Sequence, residues 1–249
     1  MKHEIPSAPC TIVRLPHADS FGCDHRLYPH AVQFYLKEDF LLGILCDFIV
    51  SALKARDGVV IVATEEHRSA ILQCLKVRGT DVDALKGNGS YVELDANETL
   101  LGVMVDGKPD FERFDRLIGG AIAAARDASG AKEPSVMVFG ELVDLLGANW
   151  ELEAALGVER FWKTLARRLS FSLLCGYSMK RFSEFGAEAA FLQICAEHAT
   201  VSPPEAYATA ESEERILRAT ARFYGETSSE QTLSNARPAE TAQKIRPRI

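Results

Sequence analysis

The 249-residue chain is poor in cysteine and has no long apolar run. Six cysteines, with no CxxC pair among them, are too few for the disulfide framework of a small secreted domain. The nearest approach to a membrane span, Phe40 to Leu53, is shorter than the roughly 18–20 residues needed to cross a bilayer and contains Asp47. The N-terminal residues lack the apolar segment of a secretory signal. We therefore expect a cytoplasmic protein that does not bind membranes.

Basic residues are in the minority, because 28 Lys and Arg face 35 Asp and Glu, for a net charge of −7. Duplex nucleic acid is usually bound by a basic face, so this balance argues against direct nucleic-acid binding. The apolar fraction of 47% is that of an ordinary globular protein and excludes wholesale disorder. The length is ample for a sizeable buried core.

Sequence motifs of three common enzyme classes are missing. No glycine-rich string runs into Lys and Ser/Thr, so the chain lacks a P-loop for a nucleoside triphosphate. No G-x-G-x-x-G follows a predicted strand, and no G-x-S-x-G nucleophile elbow occurs. From these patterns we predict a protein that is not an enzyme, with no catalytic residue, no cofactor and no metal site.

Short apolar runs alternate with helical patterns over most of the chain. The pattern predicts five strands, at His30–Tyr35, Val59–Ala63, Tyr91–Asp95, Ser135–Phe139 and Phe171–Tyr177. The longer helices between and after them are predicted to begin at Glu38, Glu65, Asn97, Phe111, Asn149 and Phe185. This alternation is typical of an α/β fold, a mainly parallel sheet with helices on both faces in three layers.

Ligands of such sheets usually bind beyond the carboxyl ends of the strands. Several polar side chains are predicted at that edge: Tyr35, Thr64, Glu65, Asp95, Glu141 and Tyr177. Thr64 is a predicted N-cap of the following helix. Glu141 either orients a polar ligand or caps the helix Leu142–Leu146, and the sequence leaves both interpretations open.

The remaining cysteines and histidines give weaker signals. Cys46, Cys74 and Cys195 lie in apolar patterns and are predicted as small core residues. Cys175 is predicted as a buried strand residue rather than as half of a Cys–His pair, and His198 as a core-bonded or helix-end histidine. Another group of cysteines and histidines lies near the N-terminus: Cys10, His17, Cys23, His25 and His30. Its spacing fits no zinc finger, so it forms at most a structural or adventitious metal site.

The composition divides the chain into three parts. We predict an N-terminal extension over residues 1–29, one domain over 30–207, and a helical then disordered tail over 208–249. The tail is either a solvated segment or carries a docking helix over Ile216–Phe223.

Several sequence motifs of the chain together resemble one family, the MEDS domain, which is a sensory domain of methanogens and methylotrophs. The resemblance covers about residues 27–207. The resemblance lies in the order and spacing of several motifs: His30–Tyr35, Val59–Thr64, His67-Arg68, Phe139-Gly140-Glu141, Leu152–Trp162, Ser172–Tyr177, and Ile194–His198 with Pro204-Glu205. It implies a RecA/KaiC-like fold with a degenerate nucleotide site. In related ATPases the P-loop follows the first strand of this fold, and in this chain Glu38 and Asp39 lie at that place instead.

The resemblance also implies a function. It suggests a non-catalytic sensory module that binds a small organic molecule or a protein partner and feeds a two-component histidine kinase or a transcription regulator. A homodimer is left open. The alternative is a divergent ATPase, or a small-molecule transferase that uses Glu141 or Cys175. The resemblance also gives candidate ligand-binding residues at the motif positions: His30, Tyr35, Glu141, Cys175, Tyr177 and His198. The alternative is that these residues only maintain the fold.

Overall fold

A computed structural model of the chain describes residues 11–12, 26, 29–148, 152–182 and 188–205. The strands are β1 (Thr11–Ile12), β2 (His30–Tyr35), β3 (Gly58–Ala63), β4 (Tyr91–Asp95), β5 (Met104–Val105), β6 (Lys108–Pro109), β7 (Val136–Gly140), β8 (Ser172–Ser178) and β9 (Thr200–Ser202). The α-helices are α1 (Glu38–Lys54), α2 (Glu65–Val77), α3 (Val82–Asn88), α4 (Ala96–Val103), α5 (Phe111–Phe114), α6 (Gly120–Asp127), α7 (Leu142–Ala148), α8 (Leu152–Ala166) and α9 (Glu188–Glu197). A π-helical segment, Asp115–Gly119, joins α5 to α6.

The main sheet has the order β1-β9-β2-β8-β7-β3-β4, and each neighbouring pair is parallel. A two-stranded antiparallel hairpin, β5–β6, stands apart from it. Because parallel neighbours need crossover connections, helices cover both faces of the sheet. The predicted three-layer α/β fold is therefore confirmed. Among the described residues, no helix combines the length and apolar character that crossing a membrane requires.

Two hydrophobic cores lie on the two faces of the sheet, and the strand period separates them. In β3, Val59, Ile61 and Ala63 pack with residues of α1, α2 and α3, whereas Val60 and Val62 pack with the core of the opposite face. Successive side chains of a strand point to opposite faces, so a strand covered on both sides is apolar throughout. This explains the continuous apolar run that predicted β3.

The predicted strands His30–Tyr35 and Tyr91–Asp95 have the observed bounds, and the other three differ by one residue. Strand β9 was not predicted, because Thr200–Ser202 is short and is followed by two prolines. The backbone pairs it with β2, and the Ala199 N–H donates to the His30 carbonyl at 2.9 Å. The predicted helix Asn149–Leu169 is observed as α8, and the start of the predicted Phe185 helix lies outside the described residues.

The cysteine prediction needs one correction. Cys46 of α1 and Cys74 of α2 form a disulfide, with Cα atoms 6.6 Å apart, instead of two separate core thiols. The packing of α1 against α2 brings the two residues into register, which helical periodicity alone does not show. Cys195 is buried as predicted. The segments predicted over 208–249, including the Ile216–Phe223 helix, and most of the predicted extension over 1–29 lie outside the described residues.

Candidate functional site

The six candidate site residues occupy three places in the fold. Four of them lie together beneath α8 and α9: His30, Cys175, Tyr177 and His198. Glu141 lies at the carboxyl edge of the sheet, directly after β7. Tyr35 is 3% exposed and belongs to the core on the opposite face, with Leu41 of α1 among its members. The structure thus contains two polar clusters rather than one pocket.

The first cluster, the edge triad, consists of Glu38, His67 and Glu141. Glu141 Oε1 contacts His67 Nδ1, and Glu38 Oε2 lies 2.8 Å from His67 Nε2. Glu141 Oε2 accepts the Thr64 N–H at 2.8 Å. The Glu141 side chain therefore binds the start of α2 instead of capping α7. Thr64 caps α2 as predicted, since its hydroxyl accepts the His67 N–H at 3.4 Å.

The charge of His67 is set by its two carboxylate neighbours. Burial by itself lowers the pKa of an imidazole, but the hydrogen bonds and negative charges of Glu141 and Glu38 outweigh that effect and raise the pKa of His67 to about 9. His67 is therefore a cation at neutral pH, and both ring N–H groups are donated to carboxylates. Two carboxylates and one imidazolium leave the edge triad with a net negative charge.

The strand-to-helix junction after β2 is also engaged by a carboxylate. The Leu36 N–H donates to Glu205 Oε2 at 3.1 Å. Along the same edge, Arg68 Nη2 donates to Asp95 Oδ2 at 2.6 Å, and Asp95 Oδ1 caps α4 through the Glu98 N–H. Carboxylates of this chain therefore occupy hydrogen-bond donors at the edge where a bound anion would sit.

The second cluster, the buried tetrad, consists of His30, Glu159, Cys175 and His198. His30 begins β2, Cys175 lies within β8, Glu159 lies on α8, and His198 precedes β9. His30 Nε2 is 3.2 Å from Glu159 Oε2 and 3.8 Å from Cys175 Sγ. Cys175 Sγ is 3.9 Å from Glu159 Oε2, and His198 Nε2 is 3.4 Å from Glu159 Oε1. Their side chains are fully buried apart from His30, which is 12% exposed.

Burial controls the protonation of the buried tetrad. It lowers the pKa of His30 to about 3 and that of His198 to about 4, so both imidazoles are neutral at pH 7. Burial also raises the pKa of the Glu159 carboxyl and of the Cys175 thiol, and the Glu159 charge adds to the effect on the thiol. The Tyr177 hydroxyl, whose pKa burial also raises, donates to Glu159 Oε1 at 2.9 Å.

Glu159, Glu38 and His67 were not among the candidate site residues. A signal for Glu159 exists, because it lies three residues after Leu156 and three before Trp162, on the buried face of α8. A carboxylate in an apolar helical stripe is unusual and indicates a buried partner. Glu38 had been noted at the start of α1 and His67 in a family motif, but no local pattern links either of them to Glu141.

A cleft of about 340 Å³ lies at the opposite, amino-terminal edge of the sheet, lined by residues that include Pro29, Glu133 and Phe171. Arg26, which also lines it, pairs with the buried Asp57 at 2.7 Å. No candidate site residue lines this cleft.

One comparison with known proteins identifies the family of the chain. The family model described as MEDS, the MEthanogen/methylotroph, DcmR Sensory domain, matches residues 29–193. No curated protein matches the chain significantly. The family match spans β2 to α9 and so includes the edge triad and three members of the buried tetrad. The chain belongs to the MEDS family of sensory domains.

Proposed function

We propose that this chain is a non-catalytic sensory module that binds a small organic molecule or a protein partner and passes the binding event to a signalling protein. Membership of a family of sensory domains supports the sensory role. The proposed recipients are a two-component histidine kinase or a transcription regulator, and a homodimer and a cytoplasmic location belong to the same proposal.

The observation that carries the non-catalytic part is the edge triad. Both oxygens of Glu141 are used, one by His67 and one by the Thr64 N–H. Both oxygens thus hold Glu141 to groups of its own chain at the start of α2, and this use of the carboxylate as a structural group supports a non-catalytic role. The net negative charge of the triad also repels phosphate groups at the edge where RecA-like sheets bind nucleotides.

The same edge suggests how a ligand would act. A small polar molecule that takes the Thr64 N–H or the His67 imidazolium must displace Glu141, which would alter the start of α2. A ligand transmits a signal only to the extent that it binds one conformation better than the other. The edge triad offers such a difference, because its hydrogen bonds join α1, α2 and the residue after β7.

Calorimetric titration of the full chain with magnesium and ATP tests the proposal against a divergent ATPase. We expect no binding in the micromolar range and no nucleotide hydrolysis. A thermal-shift screen of small organic compounds supplies the positive arm, since a ligand that binds only the folded state raises the melting temperature.

Two variants locate any compound found in that screen. E141Q disturbs the edge triad, and E66Q is the matched control, because Glu66 is exposed on the first turn of α2 and outside the triad. A ligand that displaces Glu141 should bind more tightly to E141Q, because the competing carboxylate becomes a weaker acceptor, and should keep its wild-type affinity in E66Q. Magnesium-dependent micromolar binding of ATP, or turnover of ATP by the wild-type chain, would overturn the proposal.

A further inference from the structure

The buried tetrad brings four different metal-binding donors to one point. Its ligand atoms are two imidazole nitrogens, one carboxylate oxygen and one sulfur, and all lie within 4.8 Å of one another. A tetrahedral zinc ion with Zn–N of about 2.0–2.1 Å and Zn–S of about 2.3 Å places its donors roughly 3.3–3.8 Å apart. His30 Nε2 lies 3.2 Å from Glu159 Oε2 and 3.8 Å from Cys175 Sγ, and Sγ lies 3.9 Å from the same oxygen, which is close to that geometry. His198 Nε2 lies 3.4 Å from the other oxygen of the carboxylate, Oε1.

His198 supplies an independent observation. Its Nδ1 lies 2.7 Å from the Ile194 carbonyl oxygen, which can only accept, so Nδ1 carries the proton. In the neutral ring the lone pair is therefore on Nε2, which has no hydrogen-bond partner in the described structure. This buried lone pair faces Glu159 Oε1, which already accepts the Tyr177 hydroxyl, at 3.4 Å. A cation bound to both side chains would give the His198 lone pair the partner that the described residues do not supply.

We propose that His30, Glu159, Cys175 and His198 bind one borderline-soft divalent transition-metal ion of the Zn²⁺ class. A thiolate and two imidazoles favour such an ion over Mg²⁺ or Ca²⁺, which prefer oxygen ligands. The +2 charge balances one thiolate and one carboxylate, so the site as a whole is neutral and its burial costs less. Binding releases the Cys175 thiol proton to solvent, and the sulfur donates a lone pair to the metal.

The residues around the tetrad support the ligands as outer-shell groups do in known metal sites. Metal-binding histidines usually donate their second ring N–H to a carbonyl or a carboxylate, as His198 does to Ile194. The Tyr177 hydroxyl holds Glu159 by donating to Oε1 at 2.9 Å. Four protein ligands leave no open position, which is the pattern of a structural rather than a catalytic zinc site. The ion would fasten α8 and the residue preceding β9 to the centre of the sheet.

Elemental analysis and X-ray absorption of the purified full chain test the site without any substitution. We expect one equivalent of zinc per chain, and an absorption spectrum with one sulfur at about 2.3 Å and three nitrogen or oxygen neighbours. After removal of zinc, Co²⁺ should bind at one equivalent and show a thiolate-to-cobalt charge-transfer band.

Variants then assign the ligands. C175S should lose the charge-transfer band. C175S and H198N should each bind zinc at least 10-fold to 100-fold more weakly than the wild type, which is the loss seen when metal sites are disturbed. C195S and H67N are the matched controls, because Cys195 is a second buried cysteine and His67 belongs to the edge triad. The double variant C10S/C23S tests the N-terminal cysteines. All three control proteins should bind as the wild type does.

Several results would overturn the proposal. One is a folded wild-type chain, verified by a cooperative thermal transition, that binds Zn²⁺ no more tightly than millimolar. Another is an absorption spectrum with two sulfurs or with none. A third is metal binding that C10S/C23S abolishes. If C175S does not fold, the spectrum of the wild-type protein and the H198N affinity still decide the matter. None of these results bears on nucleotide binding, so the proposed sensory function is tested separately.

Discussion

His67 shows how two neighbouring residues change the chemistry of a third. Glu141 and Glu38 approach its two ring nitrogens, and the resulting pKa of about 9 makes the imidazole behave as a permanent cation at neutral pH. The His67 and Glu141 side chains are both largely buried, so water screens their contact weakly, whereas the contact with the half-exposed Glu38 is screened more. The edge triad is therefore held by charge, and its strength depends on pH.

NMR titration of the histidine rings tests this directly. We expect the pKa of His67 to be about 9 in the wild type and to fall towards 6.5 in E141Q, because the substitution removes the negative charge and one strong acceptor. E66Q serves as the control and should leave the pKa unchanged. A wild-type pKa near 6.5 would contradict the geometry of the triad.

The same shift makes the stability of the protein depend on pH. The folded pKa of His67, about 9, lies above the unfolded value of 6.5, so its contribution to the free energy of unfolding is fully present below pH 6.5 and is lost as the pH rises through 9. A difference of this size corresponds to at most roughly 3 kcal/mol, and the contribution is smaller than that limit because the Glu38 side chain is 51% exposed and water screens its charge. Urea unfolding of the wild type and of H67N should differ most near pH 6 and least above pH 9. A difference that does not vary with pH would exclude the ion pairs as its cause.

The elements of the fold pack closely where glycine permits it. Gly58 begins β3 beneath α6, and a Cβ atom built at this position would lie 2.7 Å from the Ala125 carbonyl oxygen. That oxygen belongs to the helix backbone and cannot move aside as a side-chain tip could. Gly58 is therefore required by the approach of α6 to the sheet, not by a turn.

Two glycine-to-alanine substitutions separate this effect from helix propensity. G58A should lower the free energy of unfolding by about 1–3 kcal/mol, the usual cost of overpacking a core. G43A should raise it by up to about 1 kcal/mol, because Gly43 lies within α1, has open space around it and gains helix propensity. Urea unfolding at one pH checks both proteins. A neutral G58A would mean that α6 packs less closely on β3 than its backbone position indicates.

At the scale of elements, the sequence predicted what periodicity can show. The bounds of His30–Tyr35 and Tyr91–Asp95 were predicted without error, because each is a short segment with aromatic and β-branched residues that ends just before a helix-start signal. The β9 strand was missed, since three residues before two prolines give no period to recognise. The Cys46–Cys74 disulfide was missed for another reason, because it depends on how two helices pack.

The candidate site shows the same limit for single side chains. Glu141 and Thr64 were placed at the carboxyl edge correctly, because each directly follows a predicted strand. Whether Glu141 would face α7 or α2 depends on neighbouring strands, which no local pattern fixes. The partner of His30, Cys175 and His198 is Glu159, and the first and last of the four positions are 168 residues apart in the chain. They meet because β9, β2 and β8 are neighbours in the sheet and α8 packs on that face.

At the scale of the whole molecule, the two polar clusters occupy separate regions. The edge triad lies where strands end, and the buried tetrad lies beneath α8 and α9. A ligand at one cluster therefore does not contact the other directly. Sensing at the edge and stabilisation by a buried ion are compatible within one domain.

Removal of residues 208–249 tests the predicted domain boundary after residue 207. The described members of both hydrophobic cores reach no further along the chain than Val201. We therefore expect the chain of residues 1–207 to keep its cooperative thermal transition, with the melting temperature within a few degrees of the full chain. Circular dichroism measures both proteins. Loss of cooperativity would show that the segment belongs to the folded domain.

The hydrogen bond between Glu205 and the Leu36 N–H joins the carboxyl ends of two neighbouring strands. Leu36 directly follows β2, and Glu205 lies three residues after β9, which pairs with β2 in parallel. An anion that takes the Leu36 N–H must displace the Glu205 carboxylate from it. By linkage, anion binding at this donor and the contact that ties the two strand ends together oppose each other by the same free energy.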